Sequence, residues 1–204
     1  RASAMHALLS GDPGRALRIV ERELQTWNAN SRGSTYHLKM RILAARCLYE
    51  LGDCSAAAAL LDRLLDECRS SQLQMLQYEI ADLRARTQIG TGGEQRALDA
   101  LEEMLNGASL AGLALRWTDL MCTRAELLHA SGAVDEARAS LGFALGLRHD
   151  ERFLQKWPDV GSFSLPSEQG YRMAFLRTRR IFSAVSDEMA ALADAVIRDT
   201  VPPP

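Results

Sequence analysis

The chain has 204 residues, 47% of them hydrophobic and 25% charged, with a formal net charge of −2. That length supports one sizeable core or one repeat array. The near balance of charge excludes the overall basic character expected of a domain that grips nucleic acid or an anionic membrane. No run approaches the roughly 18 consecutive apolar residues of a membrane span. No charged, apolar and small-residue succession marks a signal peptide. Arg1 stands where a start methionine would be expected, so the chain reads as a fragment or a processed form.

Hydrophobic periodicity predicts helices over 2–10, 13–28, 34–51, 54–70, 73–90, 94–106, 112–131 and 134–147. The first starts at the chain's beginning and ends at Gly11, so a further repeat ahead of it is expected. Asp12 can cap the second helix and Pro13 suits its first turn. The third and fourth helices meet across Gly52 and Asp53 in the stretch LYELGDCSAAAALLDRLL. Between the fifth and sixth lies IGTGGEQ, residues 89–95. It looks like a phosphate cradle, but it lacks the GK[ST] ending and follows a helix rather than a strand. It is better read as a hairpin turn with extra glycines. The seventh and eighth helices meet at Gly132. Residues 148–166 then break the pattern, with Trp157, Pro158 and Gly161 marking a loop. From 167 to about 200 the chain is helical again, and it closes on a Val-Pro-Pro-Pro tail.

A repeat runs through the first 147 residues. Gly11, Gly52, Gly92 and Gly132 are spaced by 41, 40 and 40. Five residues after each comes Ala16, Ala57, Ala97 or Ala137, and seven before each comes Ala4, Ala45, Ala85 or Ala125. An aliphatic residue follows four beyond the second alanine: Val20, Leu61, Leu101 or Leu141. The columns describe two helices folded back on one another. The glycine supplies a left-handed residue at the end of the first helix. The alanines let the two axes approach, and the aliphatic residue points into the seam between units. No such unit buries its apolar face alone, so the pattern must recur.

This skeleton resembles the tetratricopeptide repeat (TPR) family over residues 1–147. Its period of 40 is longer than the usual ~34. Asn28, Arg69, Ser109 and His149 stand where that family often closes a unit with proline. Its third small residue survives as Ala144 and is replaced by Glu23, Leu64 and Met104 elsewhere. The resemblance implies an all-α, helical-hairpin array, a TPR-like α-solenoid. Its domains are then four hairpins over 1–147, a loop over 148–166, and a C-terminal helix and tail over 167–204. It also implies a concave face lined by the first helix of each unit, whose outward residues hold a peptide. In this chain those residues are Lys39, Arg46 and Tyr49, then Glu79, Asp82 and Arg86, then Asp119, Glu126 and His129. The asparagines of the chaperone-binding carboxylate clamp are missing, which argues against that partner.

The last helix differs from the others. Behind Phe175, the residues Phe182, Val185, Met189, Leu192 and Val196 follow a three-four spacing. It reads first as a cap over the open end of an array. The alternative is a homodimer contact through 167–200, or a lever that passes a signal to a further domain.

No catalytic constellation is visible. His6, His37, His129 and His149 fit no metal motif. His149, Asp150 and Glu151 read as a polar helix end. Arg172 and Arg177 to Arg180 could grip phosphates but read as a solvated face. Cys47, Cys54, Cys68 and Cys122 are scattered without a disulfide framework, as expected of thiols in a reducing cytoplasm. Trp27 and Trp117 are expected in helix seams, and Trp157 is an anchor candidate if exposed. The expectation is therefore a cytoplasmic, non-catalytic scaffold for a protein or peptide, with no cofactor, metal, membrane or direct nucleic-acid partner. The rival expectation is a sensor or coupling segment of a multidomain bacterial transcriptional or nucleotide-signalling regulator.

Overall fold

The structure, a computed structural model, describes residues 2–27, 34–144, 155, 156, 191 and 195. Eight helices form among these residues: α1 (Ala2–Leu9), α2 (Pro13–Gln25), α3 (Thr35–Glu50), α4 (Cys54–Ser70), α5 (Gln74–Arg86), α6 (Glu94–Leu110), α7 (Ala114–Ala130) and α8 (Val134–Ala144). Each predicted helix has its counterpart. The fifth stops earlier than expected, at Arg86, and the sixth runs on to Leu110. The chain divides into two compact units, residues 1–87 and 88–204.

In the first unit successive helices pack in order, α1 on α2, α2 on α3, α3 on α4 and α4 on α5. Helix α3 also touches α5, so the first helices of the second and third repeats lie side by side. In the second unit α6 packs on α7 and α7 on α8. The alanine columns are buried at all eight positions, and Val20, Leu61, Leu101 and Leu141 are at most 2% exposed. The main core of the first unit joins Leu38, Ile42 and Ala45 of α3 to Leu61, Leu64 and Cys68 of α4 and to Leu76, Ile80 and Leu83 of α5. A second cluster sets Ala4 of α1 and Val20 of α2 against Met40, Leu43 and Ala44 of α3. Helix α3 therefore has apolar residues on two sides, which leaves a narrow strip for charged groups.

The turns carry the repeat more strictly than the helices do. Gly52, Gln72, Gly92, Gly112 and Gly132 all have positive φ, between 55° and 85°, and they stand 20 residues apart. Four of these turns close in the same way. The residue after the left-handed position donates its N–H to a carbonyl five residues back: Asp53 to Leu48, Leu73 to Cys68, Leu113 to Ala108 and Ala133 to Leu128. Together with the N–H of the left-handed residue itself, this is the Schellman closure of a helix. Gly11, with Asp12 donating to Ala7, makes the same closure after α1. The 40-residue unit is thus two half-units of equal length, each a helix with a left-handed stop. The turn between repeats, at Gln72 and Gly112, obeys the same rule as the turn inside them.

The caps follow. Asp12 accepts from the Arg15 N–H at 2.8 Å and Asp53 from the Ala56 N–H at 3.0 Å, with Pro13 opening α2. Ser34 caps α3, accepting from the His37 N–H. An ion pair also recurs in register with the repeat. Arg84 on α5 reaches Asp62 on α4 at 2.7 Å, and 40 residues on Arg124 on α7 reaches Glu102 on α6 at 3.0 Å.

Candidate functional site

Helix periodicity sets Lys39, Arg46 and Tyr49 on one side of α3, at i, i+7 and i+10. Glu79, Asp82 and Arg86 fall on one side of α5, at i, i+3 and i+7. Because α3 and α5 touch, residues from both helices act on one another. Lys39, Arg46, Tyr49, Glu79 and Asp82 are half-buried, and Tyr49 leans on the α3–α4–α5 core. Arg86 does not line an open face. It is 1% exposed, and its Nε lies 3.6 Å from Asp82 Oδ2 on the turn below. A buried guanidinium needs such a countercharge close by, so Arg86 acts on the face from beneath it.

The electrostatics tie these groups into one cluster. Loss of water pulls Arg46 below the usual guanidinium range. Glu50 opposes that shift, Arg86 adds to it, and Asp82 and Glu79 oppose it again. Partial desolvation in turn raises the Glu50 carboxyl, while Arg46 and Arg86 pull it back down. Arg46 and Arg86 are therefore coupled to Glu50, Glu79 and Asp82 on the α3–α5 face, where Lys39 adds a third cation. Glu50 was not among the residues expected there. Its position one turn beyond Arg46 was a signal for it, since residues i and i+4 share a helix face.

Asp119, Glu126 and His129 lie on α7, in the second unit, and form a separate group from the other six. Asp119 pairs with Arg116 at 3.6 Å. Glu126 is 6% exposed, so it too does not line an open face. His129 is half-buried, and its carbonyl accepts the Gly132 N–H at the helix end. A denser polar network lies beside them. Arg124 joins Glu102 of α6 to Ser140 of α8, and Lys156 Nζ reaches the second Glu102 oxygen at 2.5 Å. The period of 40 from Asp62–Arg84 to Glu102–Arg124 was open to sequence reading. The groove positions two residues away, Asp82 and Glu126 among them, masked it.

The glycine-rich stretch at 89–95 is a turn that feeds α6, and it already holds its own anion. Glu94 accepts the Gly90 N–H at 2.6 Å. Hydrogen bonding from its own N–H, and from those of Gly90, Gly92 and Thr91, lowers its carboxyl below the ordinary range. The amides that resembled a phosphate cradle are thus occupied by a side chain. Trp117 is fully buried and meets Phe143 edge-on, with centroids 5.6 Å apart. Trp27 stacks on Tyr36 at 5.2 Å. Cys47, Cys68 and Cys122 are buried and Cys54 is half-buried. Burial pushes the Cys47 thiol up to about 11, which makes it a poor nucleophile. Among the described residues no group of His, Cys, Asp and Glu is placed to hold a metal ion, and no helix is long and apolar enough to cross a membrane. His149 to Glu151, Trp157, Arg172, Arg177 to Arg180 and the three-four seam from Phe175 to Val196 lie outside the described residues.

No family model matches the chain, and no curated protein matches it. Solved structures do. The chain is similar to the nearly identical TPR-like repeats of a Podosopora anserina protein named as a kinesin light chain. The TM-score is 0.60 at 17% identity, over 98% of this chain and 93% of that one. A point-substituted form of the same repeats gives a TM-score of 0.61 at the same identity and coverage. The fold is therefore an all-α, TPR-like helical-repeat array.

Proposed function

We propose that this TPR-like array is a non-catalytic scaffold that binds a protein segment on the α3–α5 face of its first unit. The observation that carries the reading is the mixed-charge cluster of Arg46, Glu50, Glu79, Asp82 and Arg86 on two adjoining first helices. Charges cost desolvation energy wherever helices meet, and a solvated surface would serve solubility equally well. Their concentration beside half-buried Tyr49 and Lys39 suits recognition. The face is built from helices already fixed by their cores, so a ligand binds with little reordering cost. Alternating charge sets the ligand's orientation and selectivity more than its raw affinity. The same reading takes the organisation to be four hairpins over 1–147, a break over 148–166 and a terminal segment over 167–204. Its cytoplasmic setting accords with four free thiols.

The test uses peptides selected on the full chain from a random library. Lys39→Glu combined with Glu79→Lys reverses two half-buried charges without touching buried Arg86. The pair is expected to weaken the selected peptides at least tenfold while the thermal midpoint holds. Unchanged affinity in a folded double variant contradicts the α3–α5 face.

A further inference from the structure

Arg46 differs from the other arginines that face a neighbouring helix. Arg41 reaches Glu67, Arg84 reaches Asp62 and Arg124 reaches Glu102. Buried Arg86 has Asp82 at 3.6 Å. Arg46 is half-buried, yet among the described residues its guanidinium makes no hydrogen bond and no ion pair; its Nη2 is enclosed without an acceptor. A guanidinium carries five N–H donors in a planar fork that matches a carboxylate. Withdrawing that fork from water without acceptors is unfavourable. A marginally stable fold tolerates such a site where function uses it. Glu50, Asp82 and Glu79 act on Arg46 through space, but none stands within ion-pair distance of it. They favour its charged form but supply no acceptor for the enclosed Nη2.

We propose that Arg46 turns its enclosed guanidinium outward to take a carboxylate side chain of the bound segment, and so sets a requirement for one acidic position in the ligand. The proposal rests on the α3–α5 face being the binding face. The neighbouring carboxylates sharpen the requirement. An acid displaced toward Glu79 or Asp82 meets like charge, and repulsion of the wrong register is what makes a site selective.

The experiment is a double-mutant cycle on the full chain with synthetic, C-amidated peptides taken from the library selection. The expected peptides share one acidic residue. Its change to Gln or Asn weakens binding to the wild type at least tenfold, and weakens binding to Arg46→Gln less than twofold. Arg46→Met is expected to keep or raise the thermal midpoint, because it removes a desolvated charge that has no acceptor. A fall of several degrees would make Arg46 a structural residue and overturn the proposal. Peptides that are displaced by Lys39→Glu with Glu79→Lys, yet lack an acid or show no coupling to Arg46, also overturn it while leaving the α3–α5 reading intact. So do peptides that bind only with a free C-terminal carboxylate. Peptides indifferent to Lys39, Glu79 and Arg46 alike defeat both readings.

Discussion

At the scale of single residues, the left-handed turn positions are where this fold is most exposed to substitution. Gly52 has φ of 82°, and a Cβ added there would meet no atom within 4 Å. Any cost of Gly52→Ala is therefore conformational rather than a clash. It is expected to lower stability by about 1–2 kcal/mol, the left-handed penalty for a residue with a Cβ. Gln72 already bears that penalty at φ of 55°. Gln72→Gly is expected to gain roughly 0.5–1 kcal/mol, since the relief exceeds the entropy that glycine adds to the unfolded chain. Urea unfolding of both variants checks the pair. Equal effects of the same sign would show that the two turns are not equivalent. This column also shows what a sequence can hide. Four glycines at a period near 40 were legible, but the half-period of 20 was not, because glutamine holds one of its five places. Backbone angle rather than residue type reveals it.

At the scale of an element, α6 depends on a carboxylate that the repeat pattern did not foretell. Among the described residues the turns after α1, α3, α4, α6 and α7 stop with one left-handed residue, whereas the turn before α6 has two, Gly90 and Gly92, and folds its amides around Glu94. Those amide bonds hold the Glu94 carboxyl below the ordinary carboxylate range. A depressed folded-state pKa favours the ionised form. Its contribution is complete above the unfolded pKa and fades as pH falls through the lower folded value. Glu94→Gln is expected to lower the thermal midpoint at neutral pH, with the gap to wild type closing on acidification. A gap that stays constant with pH would mean that the carboxylate charge is not the cause. Sequence reading set the glycines aside as a turn correctly, but it could not see that a side chain fills the cradle. That depends on the path of the turn, which local composition does not specify. Helix ends were misjudged for a related reason. Arg86 closes α5 four residues before the apolar pattern does, because the chain must enter this wider turn.

At the scale of the whole molecule, the alanine and aliphatic columns specified the array, since every one of them is buried as helix-on-helix packing demands. The candidate site was less legible. Period and face placed six residues on α3 and α5, and those two helices adjoin. Which of the six reach the surface depends on how deeply each helix is seated. Arg86 therefore proved buried, as did Glu126 on α7, while Glu50 joined the α3–α5 cluster unannounced. The account rests on the α3–α5 face being where a protein segment docks. Hydrogen–deuterium exchange of the full chain, with and without a library-selected peptide, tests this most directly. The account predicts added protection on residues 35–50 and 74–86, the spans of α3 and α5. Protection confined to α2, α4 or the second unit would contradict it.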